Sequence, residues 1–150
     1  MLPNEFSSTI VHAIQLAIAP VFLLTGIAAL LGVMANRLSR IIDRARALEQ
    51  FWPNLSERGR AAAQIEVVYL ERRRHLASWS INFCTCAALL VCIVIAALFV
   101  EELFSTNLKW LAGTLFIAVM LGLICGLATF LREVYLATHT GHIDASKFGR

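Results

Sequence analysis

The chain has 150 residues, of which 59% are hydrophobic and only 15% are charged, and its mean hydropathy is +0.72. Soluble domains of this size are about half apolar and about a quarter charged, so this composition leaves too little polar side chain to cover a surface in water. It excludes an ordinary soluble domain and predicts a protein whose solvent is the lipid bilayer.

The first apolar segment covers about residues 10–35. A helix needs about 20 apolar residues to cross the hydrocarbon core, so the segment predicts a transmembrane helix with a tolerated bend at Pro20. The preceding stretch, MLPNEFSST, has no Lys or Arg, and the apolar run is longer than the h-region of a signal peptide. We therefore expect this helix to remain in the mature protein.

One face of this helix carries a graded series of side chains that stay within about 50° of one line at 100° per residue. The face begins with the polar Gln15 at the outer end, continues with the bulky Phe22 and the small Gly26 and Ala29, and ends with three arginines. In a ring of identical helices it would line a pore with a polar mouth, a hydrophobic constriction and a basic inner vestibule. The same pattern also fits close helix packing and topology anchors, and both interpretations stay open. The candidate pore-lining residues are Gln15, Ala19, Phe22, Gly26, Ala29, Val33, Arg37, Arg40 and Arg44.

Residues 36–76 predict a pair of helices joined by a turn. Pro53 ends the first, Asn54 or Ser56 can cap the second, and Gly59 relaxes the turn between them. Both helices repeat apolar residues at the three- and four-residue spacing of a helix face. These stripes are Leu38, Ile41, Ala45 and Leu48 in the first helix, and Ala61, Ile65 and Val68, followed by Arg72 or Leu76 on the same side, in the second.

This helix pair has two possible placements. No Gly or Pro lies between Val33 and Gln50, so the first membrane helix is expected to continue to about Gln50. The pair then forms an antiparallel hairpin that projects about 20 Å into the cytoplasm. The alternative lays the pair flat on the inner leaflet, with Phe51 and Trp52 in lipid.

The second and third apolar segments, about residues 81–100 and 111–131, also predict transmembrane helices. The fold class is therefore an all-α membrane protein, with one domain over residues 1–150. On the third helix small residues recur every four positions, which lets another helix backbone approach closely. These predicted helix-packing residues are Ala118, Gly122 and Gly126.

The orientation follows from the basic residues. Nine of the thirteen Lys and Arg lie between the first two apolar segments, and cations are retained on the cytoplasmic side. We therefore expect the amino terminus outside, and residues 36–76 and the tail, residues 132–150, in the cytoplasm.

Few residues suggest a catalytic or metal-binding function. No phosphate-binding loop or nucleophile motif occurs, and the apolar cores of the three segments lack Asp and Glu, so we predict no enzyme activity and no cofactor. The four cysteines lie in apolar runs and are expected to pack rather than to bind metal. In the tail, His139 and His142 with Asp144 are expected to be solvated rather than to form a metal site. Residues 36–80 carry a net charge of only +4, which does not favour nucleic-acid binding.

Several stretches, APVFLLTGI, NRLSRIIDRAR, YLERRRHL and FLREV, resemble a bacterial family of small three-span membrane proteins catalogued only as a domain of unknown function. The resemblance covers about residues 10–136. It implies an integral protein of the bacterial inner membrane, and it implies no activity.

Two functions remain open. One is a homo-oligomeric ion channel or pore lined by the first helix. The other is a non-conducting structural or interaction protein whose basic hairpin binds anionic lipid, or a cytoplasmic protein at its tip. Self-association is expected in both cases, because three helices make a thin bundle.

Overall fold

The computed structural model of the protein describes residues 3–104 and 109–139. Helix α1 covers Pro3–Phe51, α2 covers Glu57–Phe104 and α3 covers Lys109–His139, and a short 3-10 turn, Trp52–Asn54, joins the first two helices. Each of the three helices contains an apolar stretch long enough to cross a bilayer. The predicted all-helical membrane fold with three such helices is confirmed.

Helix α1 runs without interruption past its apolar segment and includes Pro20 in its interior. Pro20 lacks the N–H that would bond the carbonyl of Leu16, and the helix continues through this position. Further along the helix, Thr25 Oγ1 donates a hydrogen bond to the carbonyl of Val21 at 3.2 Å, as threonines often do in membrane helices. At the start of α2, the Ser56 hydroxyl accepts a hydrogen bond from the Gly59 N–H at 3.3 Å and so caps the helix. Helix α3 continues beyond residue 131 to His139.

Helix α2 is the central element, because it packs against both α1 and α3. Ser80 of α2 is fully buried, and its hydroxyl group contacts both of the other helices. Ser80 Oγ donates a hydrogen bond to the carbonyl of Gly126 at 2.7 Å and lies 3.4 Å from Met34 Sδ. The main core surrounds this contact and consists of Ile27, Met34, Cys84, Ala87, Val91, Val119 and Leu123.

A second, smaller core holds α1 and α2 together beyond the apolar segments. Ile41, Leu70 and Ala77 are buried there, and the remaining predicted stripe residues of α1 pack against them. The predicted stripe of α2 was wrong as a packing face, because Ile65 and Val68 are 75% and 72% exposed. Instead, the buried positions of α2 before its apolar segment repeat every seven residues, as in a coiled-coil seam. They are Ala63, Leu70 and Ala77.

Candidate functional site

Glu133 of α3 is a buried carboxylate at the point where the three helices meet, and its side chain is 1% exposed. Arg73 of α2 donates two hydrogen bonds to Oε1, from Nη2 at 2.7 Å and from Nε at 3.1 Å. Arg37 of α1 places Nη2 at 3.2 Å from Oε2, within ion-pair distance but without hydrogen-bond alignment. Because a carboxylate removed from water is costly unless it is paired, these two arginines allow Glu133 to be buried. We call the three residues the ion-pair junction.

Aromatic rings contact both arginines of the ion-pair junction. The guanidinium carbon of Arg37 lies 5.4 Å from the centre of the Phe130 ring, and that of Arg73 lies 5.9 Å from the centre of the Tyr69 ring. Both distances are typical of cation–π contacts. The Tyr69 hydroxyl also donates a hydrogen bond to the carbonyl of Leu136. The end of α3 is thus bound to the other two helices by polar contacts rather than by apolar packing alone.

A groove between α1 and α2, next to the ion-pair junction, has a volume of about 340 Å³. It is lined by guanidinium groups over an apolar floor, and we call it the arginine groove. Arg44 Nε donates a hydrogen bond to Glu66 Oε1 at 2.7 Å. Arg40 is exposed, and it has no carboxylate partner among the side chains that the structure describes. The groove therefore contains four guanidinium groups, which pair with only two carboxylates, Glu66 and Glu133. This leaves an excess of positive charge. The lining residues are Arg37, Arg40, Ile41, Arg44, Leu70 and Arg73.

Most of the candidate pore-lining residues lie on the outside of the three-helix bundle. Phe22 is 74% exposed and Val33 is 54% exposed, and a Cβ built on Gly26 would meet no atom within 4 Å. Arg37 is the member that turns inward, because its guanidinium pairs with Glu133. The face is therefore exposed in the single chain over most of its length. The exposed members are Gln15, Ala19, Phe22, Gly26, Ala29, Val33, Arg40 and Arg44.

The three predicted packing residues of α3 lie in different surroundings. Gly126 is buried against α2, and a Cβ built on it would lie 2.8 Å from Cys84 Sγ. A Cβ on Gly122 would lie 3.6 Å from the Ala87 Cβ, which is an ordinary contact. Ala118 is exposed. Close approach of α3 to α2 is therefore concentrated at one glycine.

Sequence reasoning missed the two buried carboxylates. Glu133 and Glu101 lie just outside the apolar runs, and neither was singled out from the sequence. A third carboxylate, Glu66, is partly exposed and pairs with Arg44 across α1 and α2. In the sequence Glu133 stands beside Arg132 at the end of an apolar run, and nothing in that segment marks it as buried.

The cysteines and histidines show no arrangement for metal binding within the described residues. Cys84, Cys86, Cys92 and Cys125 are free, and no group of three or more potential ligands occurs among the side chains that the structure describes. His142 and Asp144, which the sequence predicts to be solvated, lie outside the described residues, as does the side chain of His139.

Three long apolar helices, tied together at one end by buried charges, define a multi-pass helical membrane protein. The chain belongs to the family described as "Protein of unknown function (DUF2721)", whose model matches residues 17–143. This match confirms the resemblance to an uncharacterised family, and it includes the whole ion-pair junction and the arginine groove. No curated protein and no solved structure matches the chain.

Proposed function

We propose that the protein is a homo-oligomeric, non-enzymatic interaction protein of the bacterial inner membrane whose arginine groove binds the phosphate groups of anionic lipids. The observation that carries this proposal is the groove itself, where four arginines face only two carboxylates. Phosphate oxygens are the ligands that such a set of guanidinium donors binds best. No cofactor and no nucleic acid enter the proposed function.

The position of the groove along α1 supports a lipid ligand. Arg37 follows the apolar segment by two residues, and Arg44 lies about 10 Å further along the helix at 1.5 Å per residue. The lipid head groups occupy roughly 5–8 Å on each side of the hydrocarbon core. Arg37 and Arg40 therefore lie at head-group depth when α1 crosses a bilayer. A further groove between α2 and α3 adds Arg72 and Arg132 near the same level.

The distribution of charge supports the orientation in this proposal. The helix pair of residues 36–76 contains nine of the thirteen basic residues and extends into the cytoplasm as an antiparallel hairpin, with the amino terminus outside and the carboxyl terminus inside. Phe51 at the hairpin tip is 63% exposed and offers a contact for a cytoplasmic protein. On α1, the open space at Gly26 offers a close contact for a second copy.

Arg40→Gln tests the lipid site. We expect the parent protein to bind phosphatidylglycerol more tightly than phosphatidylcholine, and the variant to lose about fivefold in affinity for phosphatidylglycerol, since one basic residue near the surface contributes about 1 kcal/mol. Binding of phosphatidylcholine should not change. The dissociation constants can be measured by native mass spectrometry of the purified full chain with each lipid.

Arg46→Gln is the matched control, because Arg46 is exposed on the same helix and does not line the groove. It should keep the parent affinity for phosphatidylglycerol. Equal affinity of the parent for both lipids, or the same loss in both variants, would show that the groove does not bind lipid phosphate.

A second candidate function is a pore lined by α1, and the exposure of the α1 face favours it. In a ring, Phe22 would form the hydrophobic constriction that opens and closes by dewetting. Arg40 and Arg44 would lie in the inner vestibule. This function requires an oligomer, since a single chain does not enclose the face.

The pore predicts that Phe22→Ala changes ion flux, while Phe51→Ala does not, although both rings are similarly exposed at 74% and 63%. Removing the constricting ring lowers the barrier to water and ions, so the flux should rise. The measurement is ion flux from liposomes that contain the purified protein, together with the mass of the detergent-solubilised assembly. A monomer in mild detergent, or flux equal to that of empty liposomes for all three proteins, would exclude conduction.

A further inference from the structure

A cavity of about 440 Å³ lies among all three helices, at the end of the bundle opposite to the arginine groove. Its walls are mostly apolar and include Leu16 of α1, Val94 of α2 and Phe116 of α3. Two titratable side chains also line it, His12 from α1 and Glu101 from α2. An apolar cavity of this size with a few polar groups has the composition of a small-molecule site.

Glu101 is the unusual member of this wall. The residue is only 9% exposed, and its Oε2 atom is buried without a hydrogen-bond partner among the described residues. A buried carboxylate oxygen without a donor is costly, and native proteins supply a partner to such groups in most cases. Glu101 also lines the cavity, so a cation bound there would lie beside the carboxylate and neutralise it.

We propose that this cavity binds an organic ammonium ion with an apolar body. The ammonium group donates hydrogen bonds to the Glu101 carboxylate and neutralises it, while the apolar body fills the space between Leu16, Val94 and Phe116. A charge-assisted hydrogen bond of this kind is roughly twice as strong as a neutral one. His12 is the other titratable group among the described residues that line the cavity, and it offers a second polar contact.

The wall chemistry argues against a bare metal ion as the occupant. Metal sites in proteins take several oxygen, nitrogen or sulfur ligands, and this wall offers one carboxylate and one imidazole. No group of three or more ligating residues occurs among the described side chains. The predominance of apolar surface instead matches a ligand with a hydrocarbon or aromatic part. The site is independent of the arginine groove, because the two share no residue.

The test uses phenethylammonium and its uncharged analogue 2-phenylethanol, titrated by calorimetry into the full chain in phosphatidylcholine nanodiscs at neutral pH. We expect saturable binding of one phenethylammonium per chain and about tenfold weaker binding of the alcohol, since the difference is one charged hydrogen bond. Glu101→Gln should reduce the affinity for the amine by about tenfold and leave the alcohol unaffected. Glu71→Gln, an exposed glutamate on the same helix, should bind both compounds as the parent does.

Gly113→Leu provides a second test that does not change charge. Gly113 lines the cavity, and a Cβ there would meet no atom within 4 Å, so a leucine enters open space and should fill part of the site. This variant should bind both compounds more weakly than the parent does. Circular dichroism should show that it keeps the helix content of the parent. Equal affinity for amine and alcohol, the absence of saturable binding, or unchanged amine binding in Glu101→Gln would each overturn the proposal.

Discussion

Replacing Glu133 by glutamine should lower the free energy of unfolding by about 3 kcal/mol or more, which is the usual cost of breaking a buried ion pair by removing one partner. Glutamine has the size of glutamate but no charge. The guanidinium groups of Arg37 and Arg73 would therefore lie together with no counter-charge from Glu133, and Arg73 is only 19% exposed. Free energies can be measured by denaturant titration in mixed micelles, followed by circular dichroism.

Two further variants separate the loss of charge pairing from general damage. Glu71→Gln removes an exposed ion pair with Arg74, one turn away on α2, and should change stability by less than about 1 kcal/mol. A triple variant, Arg37→Met with Arg73→Met and Glu133→Leu, replaces the whole junction by apolar side chains and should be more stable than Glu133→Gln alone. If the triple variant is the least stable, uncompensated charge is not the cause of the loss in Glu133→Gln.

The sequence was most informative where one local property determines the structure. The length of an apolar run determines whether a helix can cross a bilayer, so three such helices could be predicted from residue counts alone. Likewise, an uninterrupted helix from the apolar segment into the arginine-rich segment follows from the absence of Gly and Pro between Val33 and Gln50, and α1 is continuous there. The stripe around Ile41 was recognised for the same reason, since helical periodicity is local.

The ion-pair junction could not be predicted from local pattern, because its members come from three different helices. Arg73 and Glu133 are 60 positions apart in the sequence. Next to Arg132, Glu133 looks like one more charge at the end of a membrane helix, where charged residues are commonly solvated. Its burial depends on how far α3 extends along α2, and this extension is visible only in three dimensions.

The packing face of α3 shows a second limit, which is geometric. Residues four positions apart advance by 400°, so each step rotates the face by about 40° from the last. Ala118 therefore lies about 80° away from Gly126 and is exposed, although the spacing places both in one series. Alternating steps of three and four residues correct this drift, and the buried residues of α3 follow them. These residues include Val119, Leu123, Gly126 and Glu133.

Gly126→Ala should lower the free energy of unfolding by about 1–3 kcal/mol, the usual cost of an extra methyl group in a filled core. The new Cβ would lie 2.8 Å from Cys84 Sγ and 3.3 Å from the Phe83 Cβ, and the first distance forces one of the helices to move. Cys84 is fully buried, so its sulfur has little room to turn away. The shift would also lengthen the hydrogen bond from Ser80 to the Gly126 carbonyl.

Gly122→Ala serves as the control, one helical turn away on the same helix. Its Cβ would lie 3.6 Å from the Ala87 Cβ, an ordinary contact, and alanine favours a helix over glycine by about 1 kcal/mol, so this variant should be as stable as the parent or more so. Cys84→Ala removes the atom that obstructs the new methyl group in Gly126→Ala. The double variant should therefore lose less than the sum of the two single losses, because the added methyl then occupies the space that the sulfur leaves. Additive losses would mean that contact with the Phe83 Cβ and the Cys84 backbone nitrogen, rather than with the sulfur, limits the approach of the two helices.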